Sequence, residues 1–452
     1  MEDDGDNNNK NDPITPGIFN FYQNDPLTAI GYSAKPGDLY YINPPKELNT
    51  YPMYIDTPKK MEKTVVGSYI SYTMEGTDIT EPLTRRYSDF YSLYEKLLQR
   101  WPGVYIPRIP PKKITGNLDP SIIKIRMRLL NRFCLNISNI GYLYKSEETT
   151  IFRSNVADVS NALNKLPELN YSDILTRIKE AFPEYNENYD ILTGKGKLLE
   201  FDNFLKKNQK HLEDFYTRIN TAYETKEFEQ KKYLELIHNF SNYEKDNITS
   251  YADDNESFLI FYNPSYSTLS EKVLKLKQEM INPYIAFKDW IEEEILDVEA
   301  MQLAIKQIMQ LIETEDKLKE KLNQIEEDIK NGGKGNFLIG LFKKKEDIMS
   351  NLEKEKELTQ QKINDIEVLI KIIGDNMENK IENFKKEKTQ NYYKSLKLFA
   401  ILQRESKKVV KELWTIVKNA LNSISPNAGK DEEFKVQPMN EQKENQDDVP
   451  EE

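Results

Sequence analysis

The spacing of apolar positions changes character along the chain. From residue 51 to about 158, short β-branched and aromatic runs alternate with turns. Val65 to Tyr72 and Thr84 to Tyr87 read as strands, with a turn supplied by Gly76 and Asp78. Phe90 to Gln99 puts Phe90, Leu93, Tyr94, Leu97 and Leu98 on one helical face. Pro102, Pro107, Pro110 and Pro111 exclude a helix and favour an extended loop. Residues 120–140 return to a helical period through Leu129, Leu130 and Phe133. Strands, helix, proline loop and helices predict a small α+β domain.

Residues 159–194 follow as a linker holding Pro167 and Pro183, amphipathic toward its end. There Leu198, Leu199, Phe201, Phe204 and Leu205 alternate with Lys195, Lys197, Lys206 and Lys207, which suits either a helix lying in a membrane interface or the first turns of a packed helix. Residues 195–425 then read as three long helices, at about 195–250, 266–330 and 346–422, with Pro283 predicting a kink or broken turn in the second. Leu318, Leu322, Ile325 and Ile329 form one seam; Ile363, Ile366, Ile370, Ile373, Met377, Ile381 and Phe384 form another. Helices this long must pack against one another and against a second subunit. Gly332, Gly333 and Gly335 break the chain between the second and third helices.

Charge sharpens this division. The 452 residues hold 63 Lys and Arg against 75 Asp and Glu, a net of -12. Residues 1–12 carry -4 and residues 426–452 carry -6, so the tails hold nearly all of it. Both are polar and predicted to be disordered; residues 13–50 extend the first as a leader rich in Pro, Gly, Tyr and Asn. Residues 51–158 are +5, with the basic excess in Arg85-Arg86, Arg108-Lys112-Lys113 and Lys124-Arg126-Arg128-Arg132, three elements able to converge on one pocket. The overall charge argues against nucleic acid as a partner.

Catalysis is poorly supported. His211 and His238 share one charged helix, Cys134 beside Phe133 reads as core, and no phosphate-binding loop or nucleophile elbow is present. The many carboxylates are expected on wet helix faces. No enzyme, metal or cofactor is expected. One cysteine excludes an intramolecular disulfide and fits a reducing, cytoplasmic setting. No signal peptide is expected from the acidic start, and no apolar run reaches the ~18 residues needed to span a bilayer, so membrane contact is expected to be peripheral.

Arg85-Arg86-Tyr87-Ser88-Asp89-Phe90 offers a guanidinium fork beside a flat aromatic, a pairing suited to a phosphorylated sugar-like ring. This hexapeptide resembles the signature of the PX domain, the phosphoinositide-binding module of sorting nexins. Met53 to Lys60 resembles that family's opening strand and its Asp-Pro-Lys turn. Tyr105 to Lys112 resembles its proline loop, with Arg108 where the family usually has Pro, and Arg126 stands seven residues before Phe133 as the family's helical arginine does. The resemblance implies that Arg86 holds the 3-phosphate of phosphatidylinositol 3-phosphate, Tyr87 stacks under the inositol ring, Lys112 meets the 1-phosphate and Arg126 bonds the ring hydroxyls. It also implies membrane contact after Lys113, through Ile114 and Leu118. Arg85 reads as structural, and Arg108 as an addition to affinity or headgroup choice.

The segment from Phe384 through Tyr393, Leu396, Phe399 and Lys407-Lys408 to Trp414 resembles the last helix of the BAR domains of sorting nexins. The fold expected is therefore multidomain: a small α+β PX domain (three-stranded sheet plus helices) at 51–158, an all-α BAR three-helix coiled coil at 195–425, and acidic tails. A BAR domain implies a dimer, homo- or heterodimeric with another sorting nexin, that senses or generates curvature. At the junction, Phe337, Leu338, Leu341 and Phe342 have the composition of a shallowly inserting tip, with Lys343, Lys344 and Lys345 for headgroups. This junction resembles the autophagy- and recycling-linked subgroup more than the retromer-linked one. The implied role is endosomal cargo sorting and recycling by a peripheral protein of early or recycling endosomes. The competing reading is a coiled-coil scaffold or tether addressed by its lipid module.

Overall fold

The computed structural model describes residues 52–63, 67–112, 119–251, 259–262, 280–331 and 345–424. They fall into two compact units, Met1–Thr225 with Asn282–Gln403 and Lys226–Ile281 with Arg404–Glu452.

The first unit opens with an antiparallel sheet in the order β1-β2-β3. β1 (Tyr54–Lys63) pairs with β2 (Gly67–Glu75), and β2 with β3 (Leu83–Arg86). The register of β1 slips between Asp56 and Pro58. The Asp-Pro-Lys turn expected there is a bulge within one strand, because proline has no N–H to give the ladder. After Gly76 the chain turns, with the Ile79 N–H donating to the Gly76 carbonyl at 3.1 Å.

Helix α1 (Tyr87–Arg100) buries Phe90, Leu93, Tyr94 and Leu97, as its period predicts. Helices α2 (Pro120–Asn139), α3 (Gly141–Tyr144) and α4 (Glu147–Phe152) follow. The stretch expected as linker holds two short helices, α5 (Val159–Asn164) and α6 (Tyr171–Ala181). Asp158 and Asn170 start them, their side chains accepting from the N–H groups of Asn161 and Asp173.

Three long helices complete the chain. α7 (Ile191–Tyr243) runs on through a π-helical stretch, Glu244–Ile248, to Thr249–Tyr251. α8 (Ile285–Lys330) begins after Pro283, so the expected kink is a boundary: Pro283 sits in a turn, and Asn282 Oδ1 accepts from the Tyr284 N–H at 3.2 Å. α9 is Lys345–Ile424. Its predicted seam, from Ile363 to Phe384, is buried at every one of the seven positions, whereas on α8 Leu318, Leu322 and Ile329 are only half-buried.

One continuous apolar core runs from Met53, Tyr72 and Phe133 to Ile308, Ile373 and Phe384. The sheet domain and the helices of this unit therefore share a core. At their contact Gly103 adopts φ +77, and a Cβ there would lie 3.0 Å from Ile308 and from Ile373. Gln307 of α8 bonds this turn twice, accepting from the Gly103 N–H at 3.1 Å and donating to the Leu98 carbonyl at 3.1 Å. At the start of α7, Leu198, Phe201 and Leu205 are buried, Phe201 edge-on to Phe384, while Leu199 and Phe204 remain exposed. The packed-helix alternative accounts for three of these five residues.

A seam of buried charge crosses the same contact. Arg128 of α2 pairs with Glu293 at 2.6 Å, Glu292 at 2.5 Å and Asp289 at 3.4 Å, all on α8. One turn along α2, Arg132 pairs with Asp297 at 2.6 Å. Tyr105 donates to Asp297 at 3.1 Å, and Lys388 of α9 joins Asp297 and Glu294. These carboxylates correct the expectation that the acids lie on wet faces: Glu294, Asp297, Glu148 and Glu315 are all buried. Glu294, Asp297 and Glu148 sit inside because the buried cations across from them would otherwise stand alone, while Glu315 is met by Lys319 one turn along α8. Cys134 is buried as expected, and burial pushes its thiol pKa well up.

In the second unit, Ile237, Ile260, Met280, Leu413, Val417 and Ala420 form a separate small core. Tyr233 meets Trp414 edge-on at 6.2 Å. Phe228, Leu236, Phe240 and Tyr243 are exposed along α7 at near-helical spacing.

The seam makes stability respond to pH in two opposite ways. Although burial alone would raise it, Arg132 and Lys388 hold the Asp297 carboxyl well below its ordinary 3.8, so its contribution is present above pH ~4 and lost in acid. Burial pushes Asp289 up to about 7 against the pull of Arg128, with Glu292 and Glu293 adding to the rise. Its side chain keeps 21% exposure, which tempers the shift. Its folded form binds the extra proton, so its contribution falls as pH rises from 3.8 to about 7. Asp297→Asn should therefore cost about 3–5 kcal/mol at neutral pH by leaving Arg132 and Lys388 underpaired. Asp289→Asn should cost far less and should flatten the decline between pH 4 and 7, as read by urea denaturation across that range.

Candidate functional site

The strand-to-helix junction at β3 and α1 decides which arginine faces outward. Alternation along β3 buries Leu83 and Arg85 and leaves Thr84 and Arg86 outside. Arg85 is structural, as expected. Its Nε donates to the Phe152 carbonyl at 3.0 Å and its guanidinium lies 5.7 Å from the Phe152 ring centroid. Arg86 is the last strand residue, and its guanidinium pairs with Asp89 through Nε at 3.4 Å, keeping 41% exposure. The Asp89 carboxylate also accepts the Arg86 backbone N–H at 2.9 Å, which caps α1. Asp89 thus starts the helix and orients the arginine with one side chain.

Tyr87, the first residue of α1, reaches across to the proline loop, where its hydroxyl donates to the Pro110 carbonyl at 2.7 Å. Arg126 of α2 lies 4.8 Å above the Tyr87 ring. Burial pushes the Tyr87 hydroxyl pKa up, against the pull of Arg126. Tyr72, beneath them in β2, is pushed up to about 12 by burial, again opposed by Arg126. Lys112 is exposed two residues beyond Pro110. Arg86, Tyr87 and Arg126 thus form one cluster, with the loop bearing Lys112 tied to it by the Tyr87 hydroxyl. A guanidinium half-open to solvent, a ring and a second guanidinium can bind an anionic, hydroxylated ring.

Arg128, Arg132 and Arg108 are engaged with the helices. Arg128 and Arg132 point into the charge seam, and Arg108 pairs with Glu299 of α8 at 2.5 Å. Its placement in a proline position has a partner in the helices, which the loop sequence alone does not reveal. The signal for these pairs was nonetheless in the chain: Arg128 and Arg132 stand four apart, as do Asp289 and Glu293 and then Asp297, giving complementary helical stripes.

Ile114 and Leu118, and Phe337, Leu338, Leu341, Phe342, Lys343 and Lys344, lie outside the described residues. Lys345 is the first residue of α9. His211 and His238 are exposed on α7. Among the described residues no group of three or more His, Cys, Asp or Glu could hold a metal ion, and no helix is long and apolar enough to cross a membrane.

Residues 76–155 match the PX domain family, a span that contains Arg86, Tyr87, Lys112 and Arg126. Sorting nexin-33 of Homo sapiens is 31% identical over 112 residues, which cover 23% of this chain and 20% of that protein. Sorting nexin MVP1 of Candida glabrata is 28% identical over 214 residues, 44% of this chain and 40% of that protein. The chain thus spans between about a fifth and two fifths of the length of these curated relatives. A solved structure, the cryo-EM structure of the SNX-BAR Mvp1 tetramer, has the same fold, with a TM-score of 0.50 at 14% identity, covering 80% of this chain and 99% of that one. The PX family is thus matched around Arg86, Tyr87 and Arg126, and over most of its length the chain shares the fold of an SNX-BAR protein, a small sheet domain followed by long helices.

Proposed function

We propose that this chain binds phosphatidylinositol 3-phosphate on early or recycling endosomes and, as an oligomer, senses or generates membrane curvature for cargo sorting and recycling. It acts by binding and shape, not by catalysis. The observation that carries the reading is the cluster at the β3–α1 junction, where Arg86 stands half-exposed beside Tyr87 and Arg126 covers the Tyr87 ring at 4.8 Å. In this assignment Arg86 takes the 3-phosphate, Tyr87 supports the inositol ring, Arg126 bonds its hydroxyls and Lys112 meets the 1-phosphate at the membrane surface. Each anionic contact is charge-assisted, and one such pocket per protomer gains avidity in a dimer.

Oligomerisation has its own support. Among its described residues the second unit buries few apolar side chains yet exposes Phe228, Leu236, Phe240 and Tyr243 on one helix. A stripe of that kind marks a surface for another protein chain. The partner is a second copy or another sorting nexin. At the junction of α8 and α9, the composition of residues 337–345 supports shallow insertion of Phe337, Leu338, Leu341 and Phe342, with Lys343 to Lys345 at headgroups. Ile114 is assigned a similar role beside the lipid site.

Flotation with vesicles containing phosphatidylinositol 3-phosphate tests the pocket. Arg86→Ala and Arg126→Ala should each weaken binding at least tenfold, and Lys112→Ala less; unaltered binding by Arg86→Ala would remove the assignment. Paired Leu236→Glu and Phe240→Glu changes should convert the dimer to monomer in sedimentation equilibrium while leaving soluble headgroup binding intact. Replacing Phe337, Leu338, Leu341 and Phe342 by Ser should abolish vesicle tubulation in electron micrographs, with lipid-dependent recruitment retained.

A further inference from the structure

A cavity of about 310 Å³ lies beside the Arg86 cluster, between the proline loop, α2, α7 and α8. Its size falls at the lower end of known small-ligand sites, and it is about twice the ~150 Å³ apolar cavity that accepts benzene. Ile122, Ile125 and Leu129 of α2 face Ile295 and Leu296 of α8 across it, with Pro110 at the loop side. Pro110 is also the residue whose carbonyl receives the Tyr87 hydroxyl.

The charged groups on its wall already have partners. Arg108 pairs with Glu299 at 2.5 Å. Glu292 takes Arg128 at 2.5 Å and the Tyr216 hydroxyl at 2.7 Å. Arg126 lies over the Tyr87 ring, beside the cluster assigned to the headgroup. Two guanidinium groups and two carboxylates therefore cancel around an aliphatic interior. A site of this composition gains little from an ionic ligand and much from removing hydrocarbon from water.

We propose that this cavity binds one hydrocarbon chain of a lipid, as a second ligand site adjoining the headgroup cluster. The chain comes either from the phosphoinositide itself, turned aside from the bilayer past Pro110, or from a separate fatty acyl molecule. Binding here is apolar and independent of Arg86.

The full-length protein is titrated with cis-parinaric acid, whose fluorescence rises in apolar surroundings, and the bound probe is then competed with uncharged 1-dodecanol. Saturable binding of one probe per chain, displaced by the alcohol, is expected. Ile125→Phe and Ile295→Phe, at two half-buried wall positions on different helices, fill the cavity and should each weaken the probe at least tenfold. Their affinity for soluble dibutanoyl phosphatidylinositol 3-phosphate and their melting temperature should stay unchanged, which separates filling from misfolding. Comparing dioctanoyl with dibutanoyl phosphatidylinositol 3-phosphate identifies the source. A gain for the longer lipid that disappears in Ile295→Phe assigns the chain to the phosphoinositide; equal affinities with probe binding retained assign it to a separate acyl molecule. Absence of saturable probe binding, or binding undiminished in both Phe variants, overturns the proposal. The parinarate arm contains no headgroup, so its failure is distinct from failure of the phosphoinositide reading, which Arg86→Ala reports.

Discussion

The structure of the first unit depends on keeping two arginines of α2 dry. Arg128 and Arg132 are buried against α8, and removing two guanidinium groups from water costs several kcal/mol each unless partners replace the solvent. Asp289, Glu292, Glu293 and Asp297 do so from one face of α8, and Lys388 balances the acids from α9. Attraction of this kind adds little net stability compared with a well-packed apolar contact. Its force lies in what it forbids: a slide of α2 along α8 by one turn would part the guanidinium groups from their carboxylates and leave buried charges without partners. The apolar core supplies the adhesion between sheet domain and helices, and the charge seam supplies the register.

That register reaches the proposed lipid site. The proline loop is held from one side by Tyr87 and from the other by Arg108 bound to Glu299. Arg126, which covers Tyr87, lies two residues before Arg128 on the same helix. The cluster proposed for the headgroup is thus built on an α2 whose next turn is locked to α8. The turn at Gly103, gripped by Gln307, fixes the end of α1 in the same way. The proposed lipid site and the helices of this unit are parts of one packed body.

Much of this was legible in the chain. Periodicity located α1, α2 and the buried seam of α9, because in each the apolar face is continuous and long. The resemblance of the Arg85–Phe90 segment pointed to Arg86 and Tyr87, and alternation along β3 explains why Arg85 turns inward instead. The misses have a common physical origin. The bulge at Pro58 comes from a missing N–H whose effect depends on the partner strand. The start of α8 after Pro283 depends on a local turn in which Asn282 accepts the Tyr284 N–H. Of the inward acids of α8, Glu293 and Asp297 meet arginines more than 150 positions away, and local hydropathy carries no information about such a partner.

The shared core also bears on where this protein can be cut. A fragment ending near residue 158 would keep Arg108, Arg128 and Arg132 but lose every carboxylate paired with them here, and would present Gly103, Ile106 and Tyr105 to water. Such a piece would carry a bare cationic and greasy flank that the intact chain never displays. Its adhesion to acidic vesicles would then report the wound left by truncation as much as the pocket around Arg86, and the apparent selectivity for one phosphoinositide over another would be blurred.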